Sequence, residues 1–260
     1  VVVAWLYRIP VVVHESDSVA GLANRLAAMF ARRIAVAFPQ TTKLFKEGKT
    51  VVTGNPIRQP LLAGSAERAR AALGITTDKP VLLILGGSQG AEPINDLVIA
   101  SLRDLLVRYE VIHQAGERRY GQVVEEAKVE VGAGVEVGYH AKPFFNEQEL
   151  ADAYAVANLI VSRAGSGIFE IAALGKPAIL IPLPHAAQDH QRENAYAYAH
   201  TGAALILEQG NLTPHLFAEH VSSLLDNPET MQKMSERARA FAKVDADEQV
   251  AQEVWQLVNS

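Results

Sequence analysis

Residues 158–194 read NLIVSRAGSGIFEIAALGKPAILIPLPHAAQDHQREN. The aliphatic run Asn158 to Ser162 has the length of a buried strand, and Arg163 to Gly167 is a glycine loop. Ile168 to Leu174 reads as a helix, Pro177 to Ile181 as a second strand, Pro182 to His185 as a proline loop, and Gln188 to Ala199 as a second helix. A strand that passes through Arg, Gly and Ser into a helix leaves backbone N–H groups unpaired. With the positive end of the helix dipole, such groups suit a phosphate or diphosphate. Arg163 either adds positive charge there or ties the loop to a carboxylate. Glu170 can accept two hydrogen bonds from a ribose diol, or it simply complements the dipole of its helix. Gln191 and Asn194, three apart, share a helix face. The stretch describes a pocket for a nucleotide carrying a polar, uncharged group such as a sugar.

The same pattern occurs upstream. Val81 to Leu85 runs into Gly86-Gly87-Ser88-Gln89-Gly90 and then a helix from Ala91 to Val107. Glycine lets a phosphate approach the backbone, and Ser88 and Gln89 add donors; a plain tight turn is the other reading. The loop is neither a dinucleotide fingerprint nor a P-loop, because no Lys follows it. Strand Glu110 to Gln114, a helix near Arg118 to Lys128, strand Val135 to Gly138 and helix Glu147 to Ala157 come next. Beyond the central stretch lie strand Ala203 to Leu207 and helices from Thr213, Pro228 and about Ala246. This alternation predicts an α/β fold whose parallel sheet is covered on both faces, with ligands at the carboxyl ends of its strands.

The N-terminal part differs. Val1 to Leu6 is an apolar run too short to span a membrane and without signal-peptide flanks. The chain starts with Val inside what reads as a buried segment, so it is expected to be a fragment lacking its natural start. Pro10 to Val13 reads as a strand, His14 to Ser18 as a polar turn, and Ala20 to Arg33 as a helix with Leu22, Leu26, Met29 and Phe30 at helical spacing. Ile34 to Phe38 and Thr50 to Thr53 are further strands. Gly54-Asn55-Pro56 marks a turn leading to Arg58. A polar stretch from Gln59, with Ser65 placed to cap a helix, sets a domain boundary near residue 60.

The chain has 260 residues, 49% hydrophobic and 7% aromatic, which fits a protein of one large or two small α/β domains. It has no cysteine, hence no disulfide framework or thiolate metal site. The net charge of −5 conceals a basic first part: residues 1–60 hold eight Lys and Arg against three Asp and Glu, the remainder 16 against 26. Such a part faces an anionic membrane surface or a diphosphate, or is ordinary solvated charge. Nucleic acid is disfavoured because no basic–aromatic pattern appears. His185, Asp189 and His190 match no metal-ligand spacing. Asp245-Ala246-Asp247 suits a helix cap better than a cation, and no nucleophile elbow is present. His14-Glu15 either relays a proton or holds its turn together, and Asn24 and Arg25 point to the same side.

The ordered set His14-Glu15, Gly21 to Arg25, Val36 to Phe38, Gly54 to Arg58, Gly86 to Ala91 with Asn95, Ser162 to Gly165 with Glu170, and His190-Gln191 with Asn194 resembles the MurG family. These bacterial enzymes move N-acetylglucosamine (GlcNAc) from UDP-GlcNAc to lipid I. The resemblance runs over essentially the whole chain. It implies the GT-B fold, two Rossmann-like domains with parallel sheets, the first incomplete here. Residues 1–60, with a final helix at about 244–260 packing back on them, would be the acceptor and membrane side, and 61–243 the donor domain. Arg58, Ser88, Gln89, Phe145, Arg163, Gly165, Ser166, Glu170, Gln191 and Asn194 would bind UDP-GlcNAc. In that set Glu170 holds the ribose, Ser88 the diphosphate, Gln191 and Asn194 the sugar hydroxyls, and the backbone around Phe145 the uracil. His14, Glu15, Asp17 and Asn24 would line the acceptor side, with His14 the base candidate. The implied reaction is an inverting transfer to the 4-hydroxyl of the MurNAc unit, giving lipid II for peptidoglycan, cell shape and cell division. It would use no cofactor and no metal, at the cytoplasmic face of the bacterial membrane.

Three departures from the family pattern stand out. The N-terminal Gly-rich loop ending in His is absent, Asp17 stands where Asn is usual beside an atypical Ser16, and the Arg163 to Glu170 loop is one residue short. The alternatives are a catalytically incomplete fragment that binds UDP-GlcNAc, or a related GT-B enzyme such as a UDP-GlcNAc 2-epimerase.

Overall fold

The computed structural model describes residues 1–87, 90–132, 134–184 and 189–259. Among them, the first part carries helix α1 (Val2–Leu6), strand β1 (Val12–Glu15), helix α2 (Leu22–Phe30), strand β2 (Arg33–Val36) and strand β3 (Thr50–Val52). The three strands pair in parallel in the order β1-β2-β3. Helix α3 (Ala66–Leu73) follows, started where Ser65 accepts the Arg68 N–H at 3.2 Å, as its position before the helix suggests.

The second part alternates as expected. It contains β4 (Val81–Leu85), α4 (Glu92–Arg108), β5 (Glu110–Gln114), α5 (Tyr120–Val131), β6 (Tyr139–Lys142), α6 (Glu147–Val156), β7 (Leu159–Ser162), α7 (Gly167–Ala173), β8 (Ala178–Leu180), α8 (His190–Ala199) and β9 (Ala204–Ile206). Helices α9 (Pro214–Leu225), α10 (Pro228–Phe241) and α11 (Ala246–Val258) complete it. All strand pairings are parallel, in the order β6-β5-β4-β7-β8-β9. Unbroken aliphatic runs such as Val81 to Leu85 result from burial on both faces. Val81, Leu83 and Leu85 join a core under α3, α6, α7, α8 and α10, while Leu82 and Ile84 join a core under α4, α5 and α9.

An aromatic cluster closes the junction between the parts. Phe38, just after β2, packs on Phe169 of α7 with ring centroids 5.1 Å apart and on Phe241 of α10 at 5.7 Å. The last helix returns to the first sheet: Glu253 lies 3.3 Å from the Arg33 guanidinium, and Gln59 Nε2 donates to the Val244 carbonyl at 2.8 Å.

Several expected elements are displaced. The strand expected at Val135 to Gly138 is a turn, and the strand begins at Tyr139. Gly134 and Gly138 adopt φ of +93° and +102°, so the buried Val135 belongs to the turn that feeds β6. The first strand begins two residues later than Pro10, which puts His14 and Glu15 in the strand rather than in a turn. Val1 to Leu6 is a short helix with no buried residue, not a buried segment. On α2 the apolar spacing is real, but Leu22, Leu26 and Met29 face solvent, and Ala27 and Ala28 supply its contact with the sheet.

β5 carries a fully buried His113. Asn95 gives its amide N–H to the Ala115 carbonyl, so its Oδ1 must accept from His113 Nε2–H at 3.1 Å; His113 Nδ1 then accepts the Tyr139 hydroxyl at 2.8 Å. Burial pushes the imidazole down from 6.5 to about 3. The unfolded chain therefore takes up this proton first, so the neutral ring's contribution is whole above pH 6.5 and is lost as pH falls toward 3. Urea unfolding is expected to show stability falling by up to about 1.4 kcal/mol per pH unit in that window, and His113→Gln to flatten the slope. Burial also pushes the Glu110 carboxyl up, but bonds from Thr77 Oγ1 at 2.6 Å and His140 Nε2 at 2.8 Å hold it below its ordinary 4.5 overall. That pair adds a separate loss at more acidic pH, present above the ordinary carboxylate value and gone below the depressed one.

Candidate functional site

In a sheet of order β6-β5-β4-β7-β8-β9 the connections diverge between β4 and β7, and a crevice opens beyond the carboxyl ends of those two strands. The glycine loop after β4 and the one after β7 meet there. Gly87 from the first and Gly165, Ser166 and Gly167 from the second line one cleft of about 440 Å³, together with Arg58, Arg163 and Glu170. Ser88 and Gln89 lie outside the described residues. At Gly90, φ is +75° and a Cβ would sit 2.4 Å from the Ala115 carbonyl oxygen, so only glycine lets this loop lie against the end of β5.

Glu170 stands one turn into α7 with its side chain 13% exposed, so it is accessible from the cleft. Its carboxylate holds the Arg58 fork, Nε to Oε1 at 2.8 Å and Nη2 to Oε2 at 3.0 Å, and accepts the Tyr154 hydroxyl at 3.4 Å. The bond to Glu170 raises the Arg58 guanidinium above its ordinary range. Phe145 is 2% exposed and packs into the core while lining the cleft. Phe144 keeps its ring half-exposed on the rim. Phe144, Tyr154 and Gln114 are lining residues that the motifs did not single out. The doublet Phe144-Phe145 before the N-cap Asn146 was a usable signal for the first, whereas nothing in the sequence links Tyr154 to Glu170.

Arg163 is a brace. Its Nη1 donates to the Ile181 and Pro182 carbonyls at 3.0 and 3.2 Å and its Nη2 to Gln209 Oε1 at 2.8 Å, so the tie goes to carbonyl oxygens and not to a carboxylate. Burial lowers its basicity. One guanidinium thereby fixes the loops that follow β7, β8 and β9. A lysine lacks the planar fork, so Arg163→Lys is expected to lose about 1–3 kcal/mol, a fall of several degrees in Tm by calorimetry.

Other expected ligands are placed elsewhere. Asn194, assigned to sugar hydroxyls, is 2% exposed and lies at the junction: its Oδ1 accepts the Ser18 N–H at 2.8 Å, and its Nδ2 donates to Asp17 Oδ1 at 2.7 Å and toward the Ala164 carbonyl at 3.4 Å. Its amide N–H groups and one acceptor site of Oδ1 face protein, and it is not among the residues lining the cleft. The Asp17 carboxylate is paired by the same contact. Gln191 shares the helix with Asn194, but its Oε1 accepts the Leu183 N–H at 3.1 Å and steadies the proline loop.

His14, Glu15 and Asn24 form one knot. Glu15, 2% exposed, accepts the backbone N–H groups of Asp17 and Gly21 and the Asn24 amide at 3.1, 2.9 and 3.0 Å. The Asn24 amide also donates to the His14 carbonyl at 3.2 Å. Glu15 and Asn24 thus hold the β1–α2 connection. His14 Nε2 donates to the Gly54 carbonyl at 2.9 Å, which leaves Nδ1 as the nitrogen able to take a proton. None of these residues lines the cleft. His185 lies outside the described residues, and among the described residues no group of three or more His, Asp or Glu is clustered to hold a metal ion. Asp245 occupies the N-cap position of α11 and accepts the Gln249 amide at 2.9 Å.

The family described as glycosyltransferase family 28 C-terminal domain matches residues 81–250. The UDP-N-acetylglucosamine--N-acetylmuramyl-(pentapeptide) pyrophosphoryl-undecaprenol N-acetylglucosamine transferase of Hahella chejuensis is 40% identical over 260 residues, 98% of this chain and 68% of its own length. The crystal structure of Acinetobacter baumannii MurG superposes with a TM-score of 0.78 at 30% identity, over 98% of this chain and 70% of that one. The UDP-GlcNAc 2-epimerase of Neisseria meningitidis, bound to UDP-GlcNAc, has a TM-score of 0.72 at 16% identity over 98% of this chain and 72% of that one, a likeness of fold alone.

Proposed function

Since this chain belongs to glycosyltransferase family 28 and, within it, to the MurG transferases, we propose that it moves GlcNAc from UDP-GlcNAc to the MurNAc 4-hydroxyl of lipid I, giving lipid II. The observation that carries this reading is the single cleft in which the two glycine loops and Glu170 converge at the point where the sheet's connections diverge. Backbone N–H groups of the loops receive the diphosphate, and Glu170 takes the ribose diol in place of part of its Arg58 contact. Arg58, released, is free to face the phosphates. The anomeric carbon gains oxocarbenium character as the acceptor hydroxyl loses its proton and UDP departs. Negative charge developing on UDP is stabilised by preorganised N–H donors and Arg58. His14 is the base candidate on the acceptor side, through Nδ1.

Titration calorimetry with UDP-GlcNAc beside a lipid I turnover assay tests this. Binding with turnover is expected. Binding without turnover identifies a donor-binding fragment, and conversion of UDP-GlcNAc without acceptor identifies an epimerase.

The reading extends to a peripheral position on the cytoplasmic face of the membrane, where the product serves wall synthesis and with it cell shape and division. Trp5, Leu6, Leu26 and Met29 are exposed on the adjoining helices α1 and α2, near Arg8, Arg25 and Arg32 in sequence. An apolar surface carrying cations suits an anionic bilayer. No helix among the described residues is long and apolar enough to cross a membrane. Cosedimentation with anionic vesicles is expected for the wild type and is expected to fall for Trp5→Glu/Met29→Glu; equal cosedimentation of both removes this surface from the proposal.

A further inference from the structure

The donor cleft is matched in size by a second groove at the junction of the two parts, also about 440 Å³, which shares no lining residue with it. Its apolar floor comes from both parts: Ala37, just after β2, and Val52 of β3 from the first, Phe241 of α10 from the second. Its polar side is basic. His200 at the end of α8, Arg237 on α10 and Lys243 beyond it line the groove, and no carboxylate does.

Two features make this more than scattered surface charge. The acid next to Arg237 in sequence is engaged elsewhere, since Glu236 accepts the Gln232 amide at 2.8 Å; Asp245, outside the groove, accepts the Gln249 amide at 2.9 Å and also feels the charge of Lys243. The side chains of Arg237, Lys243 and His200 have no hydrogen-bond or ion-pair partner among the described residues. The stem of Lys243 is also held in place. It packs on Gly54, where an added Cβ would come 2.5 Å from the Lys243 Cβ, and Gly54 itself adopts φ of +82°. Arg237 and Lys243, with His200 beside them, thus stand around an apolar floor with no carboxylate lining the groove.

We propose that this groove is a second ligand site, taking a small amphiphilic anion with an apolar body and a phosphate head. The body lies on Phe241, Ala37 and Val52, and the head meets Arg237 and Lys243 through charge-assisted hydrogen bonds, with His200 adding to them when protonated. Because the floor is drawn from both parts, an occupant ties them together at a place the nucleotide does not touch.

The test uses the full chain with its donor cleft saturated by UDP, so that the probe cannot bind there, and phenyl phosphate as the probe in titration calorimetry. Phenyl phosphate is expected to bind at one site, at least about tenfold tighter than either inorganic phosphate or phenol, since each of these keeps half of the recognition. Arg237→Gln/Lys243→Gln is expected to weaken it at least about tenfold, and Ala240→Trp, which fills the groove beside Phe241, to abolish it; both variants are expected to retain wild-type affinity for UDP. No binding to the wild type, undiminished binding to either variant, or inorganic phosphate binding as tightly as phenyl phosphate overturns the proposal. Retained affinity for UDP in every arm keeps its failure separate from any failure of the donor site.

Discussion

Glu170→Ala is expected to weaken UDP-GlcNAc and UDP binding by roughly 100-fold or more, while lowering the melting temperature by only a few degrees. The first half follows from the chemistry of a carboxylate that accepts two hydroxyls. Hydrogen bonds to a charged group contribute about 1.5–3 kcal/mol each, so the loss of two amounts to a factor of about 100 or above. The second half follows from the partner already present. Glu170 holds the Arg58 fork, but the Arg58 side chain is 47% exposed and is rehydrated when the carboxylate disappears. An ion pair with one solvated partner contributes about 0–1 kcal/mol, and the long bond from the buried Tyr154 hydroxyl adds about 1 kcal/mol. The decisive comparison is with 2′-deoxy-UDP. The wild type is expected to prefer UDP over 2′-deoxy-UDP by at least about tenfold, and Glu170→Ala to show no preference, because the group that reads the diol is gone. If the variant keeps the wild-type preference, Glu170 does not hold the ribose.

Asn194→Leu is expected to have the opposite profile, with a large loss of stability. The side chain is sealed at the junction and bonds to Ser18, Asp17 and Ala164, which come from both parts of the chain. Leucine fills a similar volume but leaves the Ser18 N–H and the Asp17 carboxylate without their partner. Buried groups stripped in this way cost about 2–4 kcal/mol together, which for a chain of this size lowers Tm by about 5–15 °C. Asp17→Asn is the internal control. An asparagine at 17 still offers an oxygen to Asn194 Nδ2, so its shift is expected to be a small fraction of the leucine variant's. Calorimetric scans of the three proteins check this, and a leucine variant melting with the wild type removes Asn194 from the junction's support.

The contrast between these residues shows where reading by motif succeeds. Glu170 is one turn beyond a glycine loop on the same short segment, so local spacing alone places it beside the loop's N–H groups. Asn194 lies three residues from Gln191, and spacing correctly puts both on one helix. Which way that face turns depends on what packs against α8. The answer is a β1–α2 connection 176 residues away in the chain, so a residue read as a sugar ligand also ties the two parts together. Arg163 is an intermediate case. Its place in the loop was legible, but its partners Ile181, Pro182 and Gln209 come from loops that meet only once the sheet is assembled.

Sequence by itself determined the parallel α/β architecture, because strands buried on both faces must be continuous aliphatic runs and their helices must be apolar on one side. It determined that glycine loops follow β4 and β7 and that Glu170 stands one turn beyond the second, because glycine conformation and helical spacing act within a few residues. Tertiary structure alone decided which polar groups remain open to a ligand. A side chain's hydrogen-bonding capacity is finite, and how much of it the protein has already taken, as at Glu15 and His14 Nε2 within the first part and at Asn194 across the junction, is set only when the elements pack.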